Sequence, residues 1–123
     1  MEPRNDSREL ARLVAQVLDA KKGIDVILLD VSKLLWITDV FVIASGTSNR
    51  HVQSLADEVE FRLHDEGRRP LRTEGRKEAE WVLLDFGDLV VHLFQPATRE
   101  YFSLERLWGD APRLEWEPAS TEA

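Results

Sequence analysis

Residues 81–94 read WVLLDFGDLVVHLF, and this stretch decides how the chain folds. Two short runs rich in valine, leucine and aromatic residues flank Gly87-Asp88, which is the pattern of two β-strands joined by a tight turn. Because such a turn brings the second strand back beside the first, the sequence predicts an antiparallel hairpin. The segments before and after the hairpin are expected to complete its sheet and to cover it with helices.

Two segments before the hairpin have the residue spacing of helices. Apolar residues recur every three or four positions over residues 10–18 and again over residues 52–63, which predicts two helices with one apolar face each. Asp6 or Ser7 is expected to cap the first helix, because short polar side chains accept hydrogen bonds from free amides at helix starts. Lys21-Lys22-Gly23 supplies cations and a glycine where this helix should end.

Other segments have the composition of strands. Residues 26–29 and 41–44 are short apolar runs typical of strands that are covered on both faces, and residues 70–72 are expected to form a further short strand. Pro96 is placed to begin a last helix. Its apolar contacts should come from Tyr101, Leu104, Leu107 and Trp108. The order of elements predicts an α/β fold, namely a mixed β-sheet with helices packed on it.

Length and composition indicate one domain without covalent cross-links. Residues 1–109 hold all the patterned segments, so residues 110–123, with Pro112 and Pro118, are expected to form a loosely ordered tail in which Trp116 can dock. The longest apolar runs fall far short of the roughly 20 residues that span a bilayer, and the first residues lack the order of a signal peptide. With no cysteine in the chain, the sequence predicts a cytoplasmic protein.

The net charge of −7 comes from 23 acidic and 16 basic residues. A protein that holds nucleic acid through phosphates needs the opposite sign, so little direct nucleic-acid binding is expected. An acidic domain is instead steered towards basic partners. Ribosomal proteins are basic as a class and are one kind of partner that fits.

The small residues at 45–51 lie where a strand gives way to a helix, a place where anions can bind. They lack the glycines and the lysine of a phosphate-binding loop, so ordinary capping of the helix by Ser48 is favoured. Nucleotidyltransferases with a similar sheet follow a Gly-Ser turn with two alternating aspartates on a strand, whereas Asp57 and Glu58 are adjacent and helical here. We therefore expect no enzymatic activity, and a nucleotide- or RNA-processing enzyme of this fold stays as the alternative.

The histidines indicate neither a metal site nor a catalytic site. His51, His64 and His92 have no close metal-ligand spacing, and the chain has no nucleophile-elbow pattern. His92 alternates within an apolar strand, which favours a half-buried histidine with a hydrogen-bond partner. We expect neither a metal nor a cofactor.

The aromatic residue at the start of the hairpin is harder to interpret. On a strand, Trp81 and Asp85 point to one face while Leu84 and Phe86 point to the other, where a core is expected; a turn beside Gly87 could release Phe86. A large apolar side chain beside a charge is typical of an interface anchor. The alternative is that a helix covers this face too, and the pattern leaves both open.

Three segments together resemble the ribosomal silencing factor family, also called the Iojap-like family. They are residues 37–39 and 41–52 (ITD and FVIASGTSNRHV), residues 80–88 with 90–92 (EWVLLDFGD and VVH), and residues 99–108 (REYFSLERLW). The resemblance covers about residues 7–109. It implies a mixed-sheet α/β domain of nucleotidyltransferase-like fold without catalytic acids.

The resemblance also implies a partner. Members of the family bind the large ribosomal subunit through its fourteenth protein, uL14, at the face where the small subunit would join, and so repress translation when nutrients are scarce. The partner surface implied here includes Trp81 and Phe86, with Phe94 on the next strand. Charge adds Asp85 and Asp88 as residues that could meet a basic partner.

Two points stay open after the resemblance. A large-subunit assembly factor without silencing activity would use the same binding face. The Leu34-Leu35-Trp36 loop is more apolar than expected for the family, which indicates a homodimer contact or a species-specific partner.

Overall fold

One mixed sheet organises residues 3–118, the part of the chain that the computed structural model describes, with side chains described over residues 7–118. The elements are α1 (Pro3–Ala20), β1 (Ile24–Asp30), β2 (Val40–Ser45), α2 (Asn49–Asp65), β3 (Arg72–Glu74), β4 (Trp81–Asp85), β5 (Leu89–Phe94), α3 (Pro96–Phe102), α4 (Leu104–Leu107) and β6 (Arg113–Leu114). The predicted α/β class with a mixed sheet is confirmed.

The strands lie in the order β3-β4-β5-β2-β1-β6. β4 and β5 form the predicted antiparallel hairpin, in which Trp81 lies opposite Phe94 and Asp85 lies opposite Val90. β2 and β5 are parallel neighbours at the centre, because the chain crosses over through α2 between them. Every residue of these two strands is buried, which accounts for their continuous apolar composition.

The two faces of the sheet are covered unequally. α1 and α2 pack on one face, termed the helix face, where they bury Val82 and Leu84 of β4 completely. The opposite face, termed the open face, carries Trp81 and Leu83 and is covered in part by the short α3 and α4, chiefly through Leu104. In the described chain the helix-face cluster holds 20 buried hydrophobic residues and the open-face cluster holds eight. Because burying one leucine completely contributes roughly 1.5–3 kcal/mol, the helix face supplies most of the apolar stabilisation.

The first helix begins earlier than the capping pattern predicts. It starts at Pro3, so neither Asp6 nor Ser7 is its cap. The Ser7 hydroxyl is instead buried and lies 3.0 Å from Asp39 Oδ2 and 2.8 Å from Asp88 Oδ2. It links α1 to two loops at one end of the sheet, which local sequence could not reveal.

Other element boundaries also differ from the predicted ones. Lys22, rather than Gly23, takes the left-handed conformation after α1, with φ of 66°. The single last helix that was expected is broken at Ser103, which has φ of 48° and separates α3 from α4. The short strand expected at residues 70–72 is observed at Arg72–Glu74.

Residues 110–118 do not form the loosely ordered tail that was expected. Arg113–Leu114 forms β6, which pairs with β1 and gives partners to backbone groups at the edge of the sheet. Trp116 docks as expected, since its Nε1 donates to the carbonyl of Val26 at 3.2 Å. Residues 119–123 lie outside the described chain. Within the described chain, no helix has the length and apolarity that a membrane span requires.

Candidate protein-binding site on the open face

Trp81 lies at the start of β4 with part of its indole ring accessible. Along this strand Trp81, Leu83 and Asp85 are partly buried, whereas Val82 and Leu84 are completely buried. The predicted alternation is therefore confirmed. It places a large aromatic residue on the face that the helices leave partly uncovered.

Other aromatic side chains surround Trp81. Its ring centroid lies 5.0 Å from that of Phe94 and 4.7 Å from that of Phe102, which is on α3. Phe102 is 44% exposed, and Tyr101 beside it is 82% exposed. α3 therefore covers Trp81 only in part, an outcome between the two that the sequence left open.

A shallow cavity adjoins the indole. It has a volume of about 210 Å³ and is lined by Glu74, Gly75, Trp81 and Leu83. Gly75 has φ of 81°, and a Cβ built on it would lie 2.0 Å from the carbonyl oxygen of Trp81. Only glycine allows this close approach, so Gly75 fixes the edge of the cavity.

His92 lies beneath Trp81 in the middle of the open face. It is 5% exposed, and burial lowers its pKa to about 4. Its Nδ1 accepts a hydrogen bond from Trp81 Nε1 at 3.2 Å. Its Nε2 is buried and has no hydrogen-bond partner among the described residues. The histidine therefore has a hydrogen-bond partner at one ring nitrogen, as expected, and is more deeply buried than expected.

The carboxylate expected beside Trp81 lies further along the strand. Asp85 is four residues away, about 13 Å at the rise of a strand, and pairs with Arg72 of β3 at 3.6 Å. The acidic side chain that lines the cavity beside Trp81 is instead Glu74, and Glu80, which precedes Trp81 in the chain, is exposed. The pairing of β3 with β4 brings Glu74 there, which sequence reasoning missed.

Asp88 is turned towards the helix side of the hairpin. It forms an ion pair with Arg68 and lies 2.8 Å from the Ser7 hydroxyl. Burial by itself raises the pKa of Asp88, but the hydrogen bonds from Arg68 and Ser7 outweigh burial and the pKa is lowered. Asp88, which was expected to meet a basic partner beside Trp81, instead joins the hairpin turn to α1.

Phe86 and Phe94 do not present their rings at the surface. Phe86 is 4% exposed and packs in the core under α1 and α2, and Phe94 is completely buried. The turn at Gly87 does not release Phe86, because the backbone N–H of Phe86 still donates to Leu89 across the hairpin. In this structure both phenylalanines support the site from within and cannot contact a partner directly.

The turn between β2 and α2 has an ordinary structural role. Ser48 Oγ accepts from His51 N–H at 3.1 Å, which confirms the predicted cap. The His51 ring accepts from the backbone N–H of Thr47 at 2.9 Å. Asp57, the acid considered for catalysis, is exposed on α2 and pairs with Arg76. In the described chain no three histidine or acidic side chains are grouped so that they could hold a metal.

The apolar loop between β1 and β2 is partly a core element. Leu35 packs against the open-face core, whereas Trp36 is completely exposed and Ile37 is 85% exposed. These two exposed residues lie at the hairpin end of the sheet, since the loop residue Thr38 donates to the carbonyl of Gly87. The loop is therefore separate from the Trp81 site.

Together, these residues form a surface suited to binding a protein. We define the Trp81 surface as Glu74, Glu80, Trp81, Leu83 and Phe102. It joins a partly buried aromatic, further apolar area and exposed carboxylates, which fits a basic partner with apolar side chains.

Comparison with known proteins identifies relatives along nearly the whole chain. Residues 4–123 match the family model described as ribosomal silencing factor during starvation. A ribosomal silencing factor from Halalkalibacterium halodurans is 40% identical over 111 residues, which are 90% of this chain and 95% of that protein.

A crystal structure of a Chromobacterium violaceum protein is also similar. Its TM-score is 0.81 at 37% identity, covering 100% of this chain and 95% of that one. A more distant relative, the mouse protein named mitochondrial assembly of ribosomal large subunit protein 1, is 34% identical over 99 residues. These residues are 78% of this chain but 43% of the mouse protein.

Proposed function

The chain belongs to the ribosomal silencing factor family, and from this membership we propose that it binds the large ribosomal subunit through protein uL14 and blocks joining of the small subunit. The relatives' names tie the family to ribosomes, and the mouse relative's name refers to the large subunit. The proposed activity is steric and consists of occupying a surface. It needs no bond to be made or broken.

The observation that carries this proposal is the position of Trp81. It is a large aromatic side chain that packs against Phe94 and Phe102 and stays partly accessible. Such anchors contribute most of the binding energy at protein interfaces. The exposed Glu74, which lines the cavity beside it, and Glu80, which precedes it in the chain, add the charge that attracts a basic protein.

Sedimentation of the protein with purified ribosomal particles tests the proposal. We expect the wild-type protein to sediment with free large subunits, to be nearly absent from joined ribosomes, and to reduce joining when it is added first. Trp81→Ala should lose these effects. Phe61→Ala is the matched control, because Phe61 is an aromatic that is 67% exposed on α2, on the other side of the sheet.

Equal occupancy of large subunits and joined ribosomes would contradict the steric mechanism. Loss of binding in Phe61→Ala but not in Trp81→Ala would move the interface to the helix side. Direct titration of purified uL14 with the protein then decides whether uL14 is the partner on the subunit.

A role in assembling the large subunit is a second candidate, and the name of the mouse relative favours it. Both roles use the same binding surface, but their consequences differ. Cells without the protein would accumulate incomplete large subunits if it acts in assembly. They would instead keep complete subunits and join them without restraint if it acts by silencing.

A further inference from the structure

The hydrogen bond between Trp81 and His92 determines which nitrogen of the imidazole carries the proton. Indole Nε1 can only donate, and it lies 3.2 Å from His92 Nδ1. His92 Nδ1 must therefore present a lone pair. The ring is neutral, and its proton is on Nε2.

The surroundings of His92 make this arrangement unusual. Three aromatic rings contact the imidazole: Phe41 with centroids 4.7 Å apart, Trp81 at 6.0 Å and Phe94 at 6.3 Å. No charged group of the described chain acts on it, and Nε2 is buried without a hydrogen-bond partner there. Leaving a buried N–H unsatisfied is unfavourable, and leucine would fill much of the same space without that penalty. A histidine here therefore calls for a reason beyond packing.

We infer that His92 is a positioning residue for partner binding, because its Nδ1 holds the indole of Trp81 in the orientation that the partner meets. The inference rests on the proposed function and adds to it a residue that never touches the partner. The hydrogen bond fixes the N–H edge of the indole, while Phe94 and Phe102 support the ring. Trp81 is only partly buried, so part of its ring stays available to a partner.

Holding the ring in advance matters because a mobile anchor must be ordered when the partner binds. Ordering one large side chain lowers affinity by about twofold to tenfold. His92 removes this penalty before binding. Loss of the His92 side chain should therefore weaken partner binding without abolishing the binding site.

Two substitutions separate positioning from packing. His92→Leu introduces an apolar side chain of similar bulk and removes the hydrogen-bond acceptor. His92→Asn is smaller but places an amide oxygen near the position of Nδ1, so it can still accept from the indole. A purely structural role predicts that leucine is tolerated better than asparagine, whereas positioning predicts the reverse order for affinity.

NMR of the free protein provides the first test. The imidazole nitrogens of His92 should show the tautomer with the proton on Nε2. The indole N–H of Trp81 should be protected from exchange in the wild type, less so in His92→Leu, and protected again in His92→Asn. A proton on Nδ1, or equal protection in all three proteins, would overturn the inference whether or not uL14 is the partner.

Binding to purified uL14 provides the second test. We expect His92→Leu to bind about twofold to tenfold more weakly, most of the affinity to return in His92→Asn, and no further loss from His92→Leu in a Trp81→Phe background. Wild-type affinity in a folded His92→Leu protein would refute positioning and leave the proposed function intact. If the wild type does not bind uL14, the proposed function fails, and the NMR result alone decides the role of His92.

Discussion

Val82 and Leu84 are completely buried, whereas Trp81 and Leu83, their neighbours on the same strand, are only partly covered. The difference comes from the helices on each side of the sheet. α1 and α2 have 18 and 17 residues, but α3 has seven and α4 has four. At 1.5 Å per residue, α1 is about 27 Å long and α3 about 10 Å long. The short pair therefore leaves the open face partly uncovered at β4, although the central strands β2 and β5 are buried on both faces.

β4 contributes to the core with one face and to the surface with the other. Strand alternation sends equally apolar side chains to both faces, and the length of the covering helices decides which become core and which become surface. Stability is concentrated on the helix face and, under the proposed function, binding is concentrated on the open face. Substitutions at neighbouring positions should therefore have different consequences.

Leu84→Ala should have the largest effect, on stability. The side chain is completely buried under the helices, and such truncations lower the free energy of unfolding by about 2–5 kcal/mol. Chemical denaturation of both proteins measures this difference. Affinity for the large subunit, corrected for the folded fraction, should not change. A variant that stays as stable as the wild type would mean that the helix face is not the main core.

Trp81→Ala should have the next largest effect, on binding. Truncating an anchor of this type commonly costs at least about 2 kcal/mol, roughly thirtyfold in affinity. The protein should stay folded and lose less stability than Leu84→Ala, because Trp81 is only partly buried. Thermal unfolding and titration with uL14 are measured on the same preparation. An unfolded variant would place Trp81 in the core, and unchanged affinity in a folded one would remove it from the interface.

Acidification should lower the free energy of unfolding through His92, which is buried on the open face. Burial lowers the pKa of His92 to about 4, whereas an unfolded histidine has a pKa of about 6.5. Between these values the unfolded chain binds more protons. The contribution of His92 to stability is therefore complete above about pH 6.5 and is lost as pH falls towards 4.

From pH 7 to pH 5 this linkage amounts to nearly 2 kcal/mol. Denaturation curves at the two pH values measure it, and His92→Asn is the control that should remove most of the dependence. Asp30 does not interfere in this range: burial alone raises its pKa, but hydrogen bonds from Ser32 and Arg8 outweigh burial and lower it to about 2. Its contribution is therefore lost only at lower pH. An equal pH dependence in His92→Asn would assign the effect to other groups.

Elements whose signals are local could be predicted from the amino-acid sequence. The Gly87-Asp88 turn predicted the hairpin, the spacing of apolar residues predicted α2, and Ser48 was identified as its cap. These features depend on residues only a few positions apart, so their conformational preferences are contained in short stretches of sequence. The alternation of β4 was predictable for the same reason.

Which residues of β4 and its neighbours reach solvent depends on contacts between segments that are distant in the chain. Phe86 is buried because α1 and α2, which are distant in the chain, pack over it. Glu74 lies near Trp81 because β3 pairs with β4. Asp88 points away from Trp81 because it pairs with Arg68 and accepts a hydrogen bond from Ser7, which is 81 residues away in the chain. Contacts of this kind join segments that are far apart in the chain, and no local sequence pattern predicts which segments will meet. The amino-acid pattern could therefore indicate Trp81 but not the side chains that accompany it.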